Sequence, residues 1–131
     1  MSAHPVKARG GDPVKARRLR LGEVVHYADD RSDWGVVAAF ERIGWAGRYD
    51  GPVRAIVAWH NGDVDQYTLT GAPDGTSAAP GRVWPTGLAW RHGAARALLA
   101  AALDDQLDRP EDRARTMRSL RARFGALPVP R

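Results

Sequence analysis

The sequence predicts an α+β fold: a small antiparallel β-meander curling toward a barrel, followed by two C-terminal helices and preceded by a disordered basic arm. Three observations carry that expectation. Short β-prone runs alternate with turn-rich stretches between residues 21 and 90. An Asn61-Gly62 pair lies between two such runs. From Ala94 onward the pattern changes to Ala/Leu-rich and then Arg-rich helical periodicity. The 131 residues fit one domain, divided into an arm (1–20), a body (21–90) and a helical pair packed on it (91–131).

The arm repeats itself. Pro5-Val6-Lys7-Ala8-Arg9 recurs as Pro13-Val14-Lys15-Ala16-Arg17, with Gly10-Gly11-Asp12 between. The prolines and the glycine pair oppose a helix. Val6 and Val14 are too little apolar surface to offset the entropy of ordering the segment. Lys7, Arg9, Lys15, Arg17, Arg18 and Arg20 face Asp12 alone, a net +5. Such an arm tracks phosphates or an acidic protein surface, or serves as a solubilising tail.

The body reads as strands. Gly22–Tyr27 is the first, Ala28–Asp33 a polar loop, and Trp34–Ile43 the longest β-prone run. A loop over 44–52 leads to Val53–His60, apolar at nearly every position and so expected to be buried on much of both faces. A two-residue turn at Asn61-Gly62 would place Trp59 opposite Val64 and Ile56 opposite Tyr67, with Trp59, Val57 and Val64 on the core face. His60 near Asp63 and Asp65 invites a metal or acid–base reading, and equally a cross-strand charge pair. Asp29, Asp30 and Asp33 form an acidic loop that could hold a cation or simply face solvent. Residues 71–81 form a loop by composition, and Arg82-Val83-Trp84 is expected to close the sheet before Pro85.

Gly22-x-x-Val25, Trp34-Gly35-Val36-Val37 and Val57-Ala58-Trp59-His60-Asn61-Gly62 together resemble the pattern of Tudor-like and related SH3-like small barrels, over about residues 21–70. The resemblance implies a ligand-binding or assembly module for peptides, modified side chains or nucleic acid. Gly35 follows Trp34 with no spacer, a departure from that pattern. An aromatic ligand surface, if carried over, would use Tyr27, Trp34, Trp59 and Tyr67 around a cation; the same rings serve equally as core and rim packing.

Ala94–Leu107 is the first predicted helix, with Ala95, Leu98, Leu99, Ala102, Leu103 and Gln106 on one face. Asp108 is placed to cap a second helix, whose apolar stripe is Met117, Leu120, Phe124 and Leu127. Arg115 and Arg118 point away from that stripe at about 100° per residue and are candidate phosphate contacts, or part of a solvated face. Ala94–Phe124, with Trp84, Trp90 and Gly93, also resembles the end of short bacterial and phage domains in which a Trp/Gly-rich strand precedes an Ala/Leu helix.

Charge is blockwise. The body holds 5 Arg against 9 acids and the C-terminal segment 9 Arg against 5 acids, so the arm, body and tail carry +5, −4 and +4. There is no cysteine, which excludes disulfides and thiolate metal sites. The longest apolar run, Ala97–Leu103, is too short for a bilayer, and the start of the chain has no apolar signal core. These features predict a cytoplasmic chain with no membrane partner. No phosphate-binding loop, nucleophile elbow or paired metal-ligand histidines occur. The expectation is a non-enzymatic module without cofactor or metal. It would bind nucleic acid through the arm and the Arg-rich helix, or assemble with an acidic neighbouring subunit.

Overall fold

A computed structural model of the chain describes residues 19–42, 53–68 and 83–130. It is α+β. Five strands, β1 (Glu23–Tyr27), β2 (Asp30–Arg42), β3 (Val53–Trp59), β4 (Val64–Thr68) and β5 (Val83–Ala89), precede two helices, α1 (His92–Leu103) and α2 (Pro110–Phe124). All pairings are antiparallel, in the order β4-β3-β2-β1-β5. The sheet is open: β4 and β5 are its edges, so β5 extends the sheet at β1 instead of closing a barrel. The loops expected over 44–52 and 71–81, and all but the last two residues of the arm, lie outside the described residues.

Strand boundaries differ from expectation for local reasons. Tyr27 pairs with Asp30, so the expected six-residue loop contracts to a tight turn in which Ala28 takes φ 48°. The former loop residues Asp30–Asp33 become the start of β2. Asp30 accepts hydrogen bonds from the Ser32 N–H (3.0 Å) and hydroxyl (2.5 Å), which hold its carboxyl below its ordinary pKa. Pro85, read as a terminator, lies inside β5; an edge strand tolerates a residue without an N–H. There β5 bulges against β1, and the Thr86 hydroxyl donates to the Val24 carbonyl at 2.7 Å.

The β3–β4 hairpin corrects the predicted register. Trp59 N–H donates to the Asp63 carbonyl (2.8 Å) and Gly62 N–H to the Trp59 carbonyl (3.0 Å), with Gly62 at φ 100°. This is a three-residue loop with its positive-φ residue last, not a two-residue turn. Ala58 therefore pairs with Val64 and Ala55 with Tyr67. The one-residue slip moves Val64 to the face opposite Trp59 and Val57.

Both faces of the central strands are buried. Val24, Val36, Ala38 and Ala58 face α1, in one cluster with Trp90, Ala94, Ala95 and Leu98. Val25, Val37, Val53, Ala55, Val57 and Trp59 lie in a second cluster with Leu19 and Val83. β3 is apolar except at Arg54 and is buried on much of both faces, as the sequence predicted, with Arg54 and Ile56 partly exposed. Leu19 is 3% exposed, so the body begins inside the stretch assigned to the arm. A bulge between Val37 and Ala39 bends β2.

The helix boundaries are shifted: α1 starts two residues before the predicted Ala94 and ends four before the predicted Leu107, and α2 starts one residue later than predicted. α1 stops at Leu103, ahead of a turn in which Asp105 takes φ 57°. Leu107 leaves the helix but is fully buried, whereas Leu103, expected on the core face, is 67% exposed. Arg109, not Asp108, is the N-cap of α2, with Pro110 in the first turn. Of the predicted stripe, Leu120 and Leu127 are buried and Met117 and Phe124 pack partly against the first cluster. No helix among the described residues is long and apolar enough to cross a membrane.

Candidate nucleic-acid interface

Trp90 is the point where separate parts of the chain meet. Its backbone N–H donates to the Gly22 carbonyl at 2.7 Å, and its indole N–H to the Pro128 carbonyl at 2.8 Å. Its ring lies 5.7 Å from that of Trp34. Three residues further on, Gly93 sits so close to Phe124 that an added Cβ would lie 3.0 Å from the ring. The N-terminus of α1, the C-terminus of α2, the C-terminal tail and the root of the arm are therefore neighbours.

That convergence concentrates positive charge. Arg20 at the arm root, Arg91, His92 and Arg96 on or beside α1, and Arg118, Arg121 and Arg123 on α2 are all exposed. The acids of the helical pair, Asp104, Asp105, Asp108, Glu111 and Asp112, lie at its other end, around the α1–α2 turn. At the basic end α1 has no acid in its first turn and Arg91 as N-cap without a side-chain capping bond. Cations at a helix N-terminus oppose the helix dipole, an arrangement that an incoming anion relieves.

The predicted site residues are divided by the fold. Lys7, Arg9, Lys15, Arg17 and Arg18 lie outside the described residues. The Arg20 N–H donates to Glu23 Oε1 at 3.2 Å and its side chain is left exposed. Arg118 makes no ion pair among the described residues. Arg115 is engaged by Asp112 at 3.0 Å, and Asp112 also holds Arg109 at 3.2 Å. Arg113, on the inner side, donates to the Leu107 and Asp108 carbonyls and fixes the helix turn. Arg91 and Arg96 were not singled out from the sequence; only the folded pair brings them beside α2.

The aromatic set does not form one surface. Tyr27 and Trp59 share a face, their rings 6.2 Å apart edge-on, with Tyr67 packed partly against the same cluster. Trp59 is 3% exposed, a core side chain and not an open cage wall. Its Nε1 has no hydrogen-bond partner of good geometry, although it reaches toward the Tyr67 oxygen. Burial, then the charge of Asp65 and neighbouring Tyr27, pushes Tyr67 up to about 12. Trp34 is on the opposite face, because it pairs across from His26, and stacks on His60 at 5.3 Å and 14°.

His60 and Asp63 do not form the charge pair or metal site considered from the sequence. Asp63 instead exchanges hydrogen bonds with Asn61, and among the described residues no three His, Asp or Glu side chains converge as a metal site. Burial lowers the His60 pKa below 6.5; Asp33 opposes that shift and Arg113 reinforces it. The unfolded chain therefore takes up this proton first, and stability falls as pH drops below 6.5 toward the folded-state pKa. His60→Phe is expected to flatten the decline in melting temperature between about pH 7 and about pH 5. An identical decline in both proteins would assign it to other groups.

No family model, curated protein or solved structure matches this chain.

Proposed function

We propose that this chain is a non-catalytic nucleic-acid-binding module. The observation that carries the reading is the meeting of the arm root with the acid-free, basic end of the helical pair. Arg20, Arg91, Arg96, Arg118 and Arg121 continue in space the charge that Lys7, Arg9, Lys15, Arg17 and Arg18 carry in sequence. The phosphate backbone rewards such an assembly without any need for base-specific groups. An antiparallel meander bent at its long second strand also supports the SH3-like reading of residues 21–70, with the body orienting the basic end.

The test is fluorescence anisotropy with random duplex DNA, single-stranded DNA and RNA across salt concentrations. Replacing the six basic arm residues by Ser is expected to weaken binding at low salt. It should reduce the slope of log K against log salt by up to about 5 on duplex. Arg91→Glu with Arg121→Glu is expected to weaken binding further in the arm-neutralised chain. No binding at low salt, or a slope unchanged by the arm substitutions, overturns the proposal.

A further inference from the structure

α2 is under-packed for a helix of its length: of its 15 residues only Leu120 is buried. Helices in folded proteins are held mainly by packing of an apolar face, and α2 leaves a groove of about 770 Å³ between itself and α1. Its apolar lining is Ala97, Ala100 and Ala101 on α1 and Leu120 on α2. Near the α1–α2 turn the groove is lined by Asp105 and by Asp112, which is paired with Arg115 at 3.0 Å, and Arg123 lines it near the open end.

The helical pair as a whole repeats that polarity. All five of its acids cluster at the turn, where they outnumber Arg109, Arg113 and Arg115, while the rest of α1 and the second half of α2 carry no acid. A surface acidic at one end and basic at the other complements its own copy turned end for end, which is what a two-fold axis generates. The small alanines of the lining let a second pair approach closely.

We infer that the α1–α2 groove is the interface of a homodimer, in which two copies pack antiparallel and Arg123 of each meets the acidic, Asp105-bearing end of the other. The inference is independent of the nucleic-acid reading. At helical spacing Arg118 and Arg121 lie on the flank of α2 away from Ser119 and Arg123, which line the groove. A dimer leaves them exposed and doubles the number of arms, so a long polyanion is bound bivalently.

The test is sedimentation equilibrium of the full chain, without nucleic acid, over a range of concentrations and at two salt levels. The wild type is expected to reach twice the 14.3 kDa chain mass with a dissociation constant of roughly 10–100 µM, weakened by salt. Arg123→Glu and Asp105→Lys, both at exposed positions, should each weaken the dimer at least tenfold while circular dichroism stays native. Mixing these two variants should restore a dimer, because every contact in the mixed pair again joins opposite charges. The double variant alone should dimerise for the same reason. A wild type monomeric at every concentration overturns the inference. So does a dimer unaffected by either substitution, or a mixture that stays monomeric.

Discussion

Trp90→Ala is expected to destabilise the protein by about 3–5 kcal/mol, a large share of the roughly 5–15 kcal/mol that holds a domain folded. Trp90 is 3% exposed and belongs to the cluster between sheet and α1. Its removal leaves a cavity between Trp34 and α1 and releases the C-terminal tail, held by the indole bond to Pro128. Phenylalanine fills most of the space but cannot donate. Trp90→Phe is therefore expected to cost no more than about 2 kcal/mol, combining the lost hydrogen bond with modest repacking. Urea denaturation followed by circular dichroism measures both. Equal losses for Phe and Ala would mean that ring volume is not what matters at this site.

Gly22→Ala is expected to cost nearly as much, about 2–4 kcal/mol, although it adds one methyl group. Gly22 has φ 89°, a conformation that an L-residue adopts only with strain, and an added Cβ would lie 2.3 Å from the Trp90 carbonyl oxygen. Because that collision is with backbone, no side-chain rotation relieves it. The same shift would strain the bonds from Gly22 N–H to the Val37 carbonyl and from Trp90 N–H to the Gly22 carbonyl, both 2.7 Å. Trp90→Ala removes the side chain but leaves its backbone carbonyl in place, so it does not relieve the collision, and any departure from the sum in the double variant reports main-chain relaxation once the ring is gone. Strict additivity in a double-mutant cycle would show that the two residues act independently.

Much of the secondary structure was legible because hydrophobic period and turn chemistry are local. The burial of much of both faces of β3 and the existence of two C-terminal helices followed directly from their patterns. The failures were at points where two local solutions are compatible with the same residues. Asn61-Gly62 satisfies a two-residue turn, but Gly62 alone can supply the positive φ of a three-residue loop, and that choice decides which face Val64 occupies. Pro85 ends a strand in a sheet interior but not at an edge, and only the order of strands makes β5 an edge. The aromatic set divided for the same reason: whether Trp34 shares a face with Tyr27 depends on pairing across the β1–β2 turn. Of the candidate interface, Arg20 and Arg118 were legible as free basic residues. Arg91 and Arg96 join the basic end only when α1 and α2 fold back on each other, a relation that no spacing along the chain encodes.

β1 is paired on both sides, and its partners arrive at different times during synthesis. β2 follows it after a tight turn, whereas β5, which pairs Ala89 with Glu23, comes only when most of the body has been made. Loop closure over that distance is slow compared with the hairpins β1–β2 and β3–β4. The nascent meander therefore waits with one edge of its first strand unpaired and with the face of Val24, Val36 and Ala58 uncovered until α1 emerges. Chains interrupted before residue 83 keep that edge and face exposed to one another, which makes them substrates for chaperones or seeds of aggregates. The C-terminal helices complete the body and are no detachable appendage to it.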